Sequence, residues 1–517
     1  MRDPMRNTDE RRVAEGGGGT GARPLLDGDR GGFVDHHDLW SDRHYAAAAQ
    51  LRRVVDELGV ELVRVCFTDQ HGVLRGKSIT RAALPGVLRT GLTAPSSLLL
   101  KDTSGRSSFP VFGSLALDGY RGFAGAGDVV LVADPTTFRV LPWSPRTGLV
   151  LADLHYPDGR AVPFCGRGAL RAHLDRLAGR DLALTVGTEL EFHVYARAQD
   201  GAEVGVDESA VSRPGRPGAA PAVRPLTPGA QLLKVDSLDS VDHLVEELQR
   251  GLTRLDLPLR SLELEFGPGQ FELTLEAGDA AEVADQVVLC RTAVKQICRR
   301  LGLHATFMSR PLGTETAATG WHLHQSLRNT ATGAPIFART GADAGEVLSD
   351  SGRYYLGGLL EHAAAAAAFT TPTVNGYKRY QPYSLAPDRV LWGLDNKAAM
   401  VRVVGRAGDP DARLENRSGE PAANPYLYIL SQLVTGLDGM DRRLAPGPPS
   451  ESPYQDEAPR LPGTLGDAVA ALDASALFRR ELGDHVVDWY VHLKRAEFAR
   501  YLAEVSDWEQ REYFDLL

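Results

Sequence analysis

Cysteine is scarce in this chain. Four cysteines (Cys66, Cys165, Cys290 and Cys298) stand among 517 residues, and none falls in a Cys-x-x-Cys spacing. That excludes a disulfide scaffold and a thiolate zinc ribbon, and points to reduced thiols in the cytoplasm. Excess positive charge is also missing. The formal net charge is −10, so neither nucleic acid nor an anionic membrane is an expected partner. No apolar run approaches the roughly 18 residues that a spanning helix needs. The N-terminus lacks the apolar core of a signal peptide. Self-similarity at a solenoid period is absent too. What the chain does have is core-forming material: 43% of its residues are hydrophobic, enough at this length for about two to four domains.

Residues 1–40 are charged and Gly-rich, with few aliphatics, and read as a mobile tail. Ser41 then opens a helix whose Leu51, Val54, Val55 and Leu58 form one stripe, and Gly59 ends it. Val60 to Phe67 and Val73 to Ile79 read as strands around an Asp69-Gln70-His71-Gly72 turn. A small strand-rich domain over residues 41–142 follows from this, with Pro142 and Pro145 at its boundary; a larger domain covers 143–517. Gly72 to Ser78 imitates a phosphate loop, but it has one residue too few between its glycines and strand-like flanks. Further on, Asp279 with Glu282 predicts a capping box. Val283, Val287, Cys290, Val294 and Ile297 then share one helical face, which makes Cys290 a core residue. Residues 212–231 read as an exposed loop and Ala363–Ala368 as a close-packed helix. Trp489 to Leu517 reads as a terminal amphipathic helical segment. This pattern alone gives an α+β class.

Four short segments carry the chemistry. They are Glu189-Leu190-Glu191, the stretch from Glu265 to Glu272, His322-Leu323-His324, and Arg413-Leu414-Glu415-Asn416-Arg417. In a strand, residues i and i+2 share a face, so each segment turns polar groups one way and Leu the other. Paired acids beside histidine are expensive to bury without a cation. Glu189, Glu191, Glu265, Glu272 and Glu415 with His322 carry about −5, close to the +4 of two divalent ions, and this donor set suits Mg²⁺ or Mn²⁺.

With these residues in view, the chain resembles the glutamine synthetase family. The matching stretches are Gly187 to Phe192, Glu265 to Glu272, Gly320 to Ser326, Asn375 to Arg379, and Arg413 to Arg417 followed by Pro421 to Pro425. The resemblance implies an N-terminal β-grasp domain and a catalytic domain built on a curved antiparallel sheet flanked by helices. It implies two stacked rings of six subunits, with sites shared between neighbours. It implies a reaction in which ATP phosphorylates a carboxylate and a nitrogen nucleophile then displaces phosphate. Carried over by motif, Glu191, Glu265 and Glu272 hold one Mg²⁺ or Mn²⁺, and Glu189, His322 and Glu415 hold a second. Arg402, Arg413 and Arg417 touch ATP or the phosphoryl group in transfer, His324 and Ser326 lie near the nucleotide, and Arg379 binds the α-carboxylate of glutamate.

The chain departs from the family at four places. Ala94, in Thr93-Ala94-Pro95-Ser96-Ser97, stands where the family has an Asp, and Leu385, in Tyr383-Ser384-Leu385-Ala386-Pro387, where it has a Glu. Those two acids bind and deprotonate ammonium. Ala317 replaces an Asn near the glutamate loop. Lys397 replaces a phosphate-contacting Arg, keeping charge but losing the bidentate fork. Metal and phosphate groups survive while ammonium groups do not. The expected activity is therefore ligation of a carboxylate, glutamate or a close relative, to an amine other than ammonia, one that is bulky or already neutral near pH 7. The alternatives are a true glutamine synthetase and a non-catalytic scaffold.

Overall fold

Two sheets organise the chain. The computed structural model describes residues 30–112, 121–198, 212–312, 317–339 and 346–517. The first sheet contains β1 (Leu62–Thr68), β2 (Leu74–Thr80), β3 (Leu92–Pro95), β4 (Asp128–Ala133), β5 (Arg139–Val140) and β6 (Thr147–His155), in the order β2-β1-β6-β4-β3 with β5 beside β6. β1 and β6 run parallel, and the other pairs are antiparallel.

The second sheet takes β7 (Leu182–Arg197), β8 (Val223–Pro225), β9 (Leu259–Leu264), β10 (Gln270–Asp279), β11 (Leu303–Thr306), β12 (Trp321–Asn329), β13 (Trp392–Leu394), β14 (Val401–Val404) and β15 (Arg413–Asn416). Its order is β13-β14-β15-β12-β7-β10-β9, with β8 and β11 on β7. All pairs are antiparallel except β13 with β14. Register shifts on β10 against both of its neighbours bend the sheet. Among the described residues no helix is long and apolar enough to cross a membrane.

Local expectations are met in most places. Asp42–Glu57 is a helix with Leu51 and Val55 buried, and Gly59 follows it at φ +63°. Ala363–Thr370 is a buried helix, and the C-terminal stretch forms helices Asp484–Leu502 and Asp507–Tyr513. Gly72 to Ser78 lies in the turn and edge strand of the first sheet, so the phosphate-loop pattern is a strand.

Three expectations need correction. Residues 30–40 are not tail. Gly32–His36 is a short helix, Val34 and Trp40 are buried, and the Trp40 indole donates to the Ala133 carbonyl at 3.0 Å. Two apolar anchors suffice there despite the charged surroundings; residues 1–29 lie outside the described residues. The boundary at 142/143 is early, because β6 is the middle strand of the first sheet. Finally, Asp279 caps the helix Ala280–Arg300 alone. Its carboxylate accepts from the Ala281 N–H at 2.9 Å, in Asx-turn fashion, rather than from the position where Glu282 would reciprocate.

The two sheets are tied at a buried polar seam. The turn between β1 and β2 presents the Gly72 carbonyl to Arg291, which donates to it at 2.8 Å and also to the carbonyls of Pro421 and Ala423. A side chain at Gly72 would meet that guanidinium at 2.9 Å and the Asn424 backbone, so the turn needs glycine. Asn424 caps the helix Pro425–Arg442 through its side-chain oxygen while its amide donates to the Asp69 carbonyl at 3.0 Å. Close by, buried Arg167 is paired with Asp134, Asp153 and Asp285.

Candidate active site

Strand register brings the acids together. Glu191 on β7 faces Glu272 on β10, and Glu272 faces Glu263 on β9. Glu189 faces His322 on β12. His324 faces Glu415 on β15, which in turn faces Arg402 on β14. Because alternate residues share a face, one side of the sheet gathers the carboxylates and imidazoles. The intervening Leu190, Leu273, Leu323 and Leu414 are completely buried.

Two groups of potential ligand atoms each fit within 4.8 Å: Glu189, His322 and Glu415, and Glu191, Glu272 and His322. His322 stands between them, with Nδ1 3.0 Å from Glu189 and Nε2 3.7 Å from Glu191. His324 Nε2 lies 2.9 Å from the second oxygen of Glu189. The expected set of Glu189, His322 and Glu415 is thus assembled. The other set forms with His322 in it and with Glu265 outside the tight group. Glu265 is half-buried at the mouth of the loop before β10, and one oxygen accepts from the Phe266 N–H at 3.3 Å.

Sequence reasoning missed two residues. Glu263 shares the face of Glu265 and faces Glu272; the alternation Leu262-Glu263-Leu264-Glu265 was the available signal. Gln270 is buried, donates to Glu191 at 2.8 Å and accepts from the Gly267 N–H at 2.7 Å, so it fixes both the Glu191 carboxylate and the loop beside it.

The electrostatics separate the two groups. Burial pushes Glu191 up to about 7, with Glu265 adding to the shift. Burial, followed by Glu191, Glu189, Glu265 and Glu263, pushes Glu272 up to about 9. On the other side, burial of Glu189 is outweighed by its contacts with His322 and His324, which hold its carboxyl far below the usual range. Burial of Glu415 is likewise outweighed by His322 and Arg417. Burial, then Arg417, lowers His322 to about 4, so its imidazole is neutral and able to ligate. Crowded carboxylates with a neutral imidazole fit hard divalent cations, and the negative charge that is unfavourable at Glu272 among its neighbours is one that a cation there would offset.

A pH dependence follows. The folded values of Glu191 and Glu272 lie above the ordinary 4.5. Their contribution to the stability of the metal-free protein is therefore fully present below pH 4.5 and is lost as pH rises through about 7 and then about 9. Metal binding requires the ionised forms and releases these protons. The Tm difference between protein in Mg²⁺ or Mn²⁺ and protein in chelator should widen from pH 6 to pH 9 in scanning calorimetry. A constant difference would contradict the assignment.

The basic residues surround this floor. Arg402 donates to Asp395 at 2.9 Å and to Glu415 at 3.0 Å. Arg417 is buried, pairs with Glu415, and donates through Nε to the Lys397 carbonyl at 2.8 Å. Arg413 donates to His324 Nδ1 at 3.2 Å. Burial raises the Glu265 carboxyl, and the exposed Lys397 opposes part of that rise. Ser326 follows His324 along the same face of β12. Arg379 is buried beside Gly320, where a Cβ would lie 2.6 Å from its guanidinium. It donates to the carbonyls of Arg417 at 2.8 Å and Ser418 at 3.1 Å, and among the described residues it has no carboxylate in ion-pair contact.

The positions of departure are not all gathered. Ala317 is half-buried next to Ala318, whose carbonyl accepts from Gln270 at 3.2 Å. Leu385 is half exposed and takes φ +59°, with Tyr383 at φ +61°. Two bulky residues in the left-handed region mark a strained segment. Ala94 is buried on β3, in the first sheet, which among the described residues shares no strand pairing with the sheet carrying the acids.

A family model described as the glutamine synthetase catalytic domain matches residues 163–513. The chain belongs to the glutamine synthetase family. It is a ligase of that type, forming carbon–nitrogen bonds. The family is also shown by a γ-glutamylanilide synthase from Acinetobacter sp, 41% identical over 501 residues, covering 94% of this chain and 99% of the relative. A γ-glutamylethanolamide synthetase of Streptomyces coelicolor is 32% identical, covering 90% and 95%. The solved ADP complex of GmaS is 29% identical with a TM-score of 0.73, covering 90% of this chain and 99% of that one. The mixed fold with a curled sheet flanked by helices agrees with that structure.

Proposed function

We propose that this enzyme joins the γ-carboxyl of glutamate to an amine other than ammonia, at the expense of ATP, and that its native amine is aromatic. The carrying observation is the selective replacement of charge. The ammonium-handling positions hold Ala94 and Leu385, while every metal and phosphate position keeps its ligand or its charge. An aromatic amine is neutral near pH 7 and needs no anionic anchor. The γ-glutamylanilide and γ-glutamylethanolamide products named for two relatives support a nucleophile other than ammonia.

The residues divide the work as follows. Arg379 receives the α-carboxylate of glutamate. Glu191, Glu265 and Glu272 would hold one Mg²⁺ or Mn²⁺, and Glu189, His322 and Glu415 a second; when bound, such cations neutralise phosphate charge. Arg402, Arg413 and Arg417 grip phosphate oxygens in pairs, with Lys397 as a point charge. A γ-carboxylate oxygen attacks the γ-phosphorus of ATP and ADP leaves. The amine nitrogen then attacks the acyl carbon, the carbon–oxygen bond to phosphate breaks, and the nitrogen gives up a proton. His324 and Ser326 line the nucleotide side, and Ala94, Ala317 and Leu385 the amine and glutamate side.

The test is a panel of amines with ATP and glutamate, read by mass spectrometry of the product alongside ADP release. We expect a γ-glutamyl anilide with one ADP per amide. Failure of every amine to elicit ADP would support the scaffold reading instead. Because Ala94 lies on a sheet separate from the acids, we also propose that sites are completed by a neighbouring subunit, in a closed ring assembly. Sedimentation under assay conditions should find activity only in the oligomer, and a fully active monomer would overturn this.

A further inference from the structure

Glu420 is a buried carboxylate that neither the metal groups nor the phosphate-binding arginines use. It is completely buried. One oxygen accepts from the backbone N–H of Thr373 at 2.7 Å. The other accepts from the hydroxyls of Ser309 at 3.0 Å and Thr373 at 2.8 Å. Its own N–H donates to the Thr370 carbonyl at 2.9 Å. Among the described residues it has no cation in ion-pair contact, and burial pushes its carboxyl up to about 7. A carboxylate held in this way is costly, and its position in the fold shows what it serves.

Three chain segments meet at Glu420. The first is the turn after β15, whose Arg417 and Ser418 carbonyls accept from the Arg379 guanidinium. The second is the loop Thr371 to Gly376, which leads directly into Arg379. The third is the segment at Ser309, whose neighbour Arg310 exchanges two bonds with Asn375: its N–H donates to the Asn375 side chain at 2.7 Å, and the Asn375 amide donates back to its carbonyl at 3.2 Å. Gly376 allows the close approach, because a Cβ there would sit 2.6 Å from the Glu420 carboxylate. The loop that supplies Arg379 and the turn that orients its fork are therefore tied to one side chain. Thr371 and Tyr380 add hydroxyl bonds to the same Ser418 carbonyl, at 3.0 and 2.9 Å.

We infer that Glu420 is the positioning residue that sets the Arg379 guanidinium, and with it the affinity for the acid substrate. This rests on the reading of Arg379 as the α-carboxylate receptor. Glu420 touches neither substrate nor phosphate; it acts through the loop and the turn. Loss of its bonds frees the two segments to move apart, and a displacement near 1 Å at a positioning group costs up to about 10²-fold.

The experiment compares Glu420→Ala, Glu420→Gln, Arg379→Lys and the double variant Glu420→Ala/Arg379→Lys in the full-length enzyme. KM for glutamate, KM for ATP and Tm are measured for each. Glu420→Ala should raise KM for glutamate roughly 10- to 100-fold while KM for ATP stays within about twofold. Glu420→Gln, which keeps the shape and can still bond Thr373 and both hydroxyls, should recover most of that loss. In the Arg379→Lys background, Glu420→Ala should add little, because the two act as one unit. If Glu420→Ala fails to fold, Thr373→Val removes one of the three bonds and should raise the glutamate KM alone. Equal losses for glutamate and ATP, or fully additive effects with Arg379→Lys, would overturn the inference. A glutamate KM unmoved by Arg379→Lys would instead show that the acid is bound elsewhere, and the inference would fall with that reading.

Discussion

Replacing Glu272 with alanine should abolish ATP turnover, by about 10³-fold or more, and leave the fold intact. The size follows from what a bound cation supplies to phosphoryl transfer, several kcal/mol of charge stabilisation. The intact fold follows from the crowding around this residue. Glu272 is raised to about 9 by burial and by four neighbouring carboxylates, so folding of the metal-free protein at neutral pH must take up a proton at this residue, which lowers its stability. The variant should therefore melt no lower than wild type in chelator, while the stabilisation that wild type gains from Mg²⁺ or Mn²⁺ should shrink. Calorimetry with and without metal, paired with ADP release, separates the two effects. Wild-type-like ATP turnover would remove the metal assignment altogether.

Ammonium should be a poor substrate even when ATP and glutamate bind well. It must be held as a cation and then lose a proton before it can attack. Positioned deprotonation is typically worth ~10²–10⁴ in rate, and glutamine formation should lag behind anilide formation by about that factor. Leu385→Glu combined with Ala94→Asp should raise ammonia use and lower use of the aromatic amine. The two halves differ in difficulty. Leu385 is half exposed, so a glutamate there stays solvated. Ala94 is buried, so an aspartate there lowers stability until an amine cation joins it. Leu385→Glu should be made first, and the double variant assayed below its measured Tm. Equal efficiency with ammonium and the best amine in wild type would make the chain a glutamine synthetase that manages the proton some other way.

Much of the site was legible because strand alternation is a strict rule. Glu189, Glu191, His322, His324 and Glu415 needed only the two-residue period to be placed on one face, and register placed them side by side. Glu263 was missed because one acid on a half-exposed edge strand reads as solvated, and only its pairing with Glu272 changes that. Glu420 was invisible for a different reason. Its partners Ser309 and Thr373 lie 111 and 47 residues away, and no local period connects them. The boundary at Pro142 failed because prolines report a break in local structure. A parallel partner for β1 must come from farther along the chain, and it does, as β6. The end of the tail was misplaced because Val34 and Trp40 are only two anchors in a polar stretch, and burial depends on what they meet.

The seam between the sheets also sets a timetable for biosynthesis. Asn424 holds the Asp69 carbonyl across 355 residues of sequence, and the Trp489 indole donates to the Leu99 carbonyl across 390. A ribosome adding about 5–20 residues per second needs roughly 20–80 seconds to deliver those partners. During that interval the first sheet is already outside the exit tunnel while the groups that fasten its turn and its β3 flank do not yet exist. The first sheet is thus synthesised first and fastened last, and a nascent chain that stalls before its final helices would leave that sheet unclamped and open to chaperones and proteases.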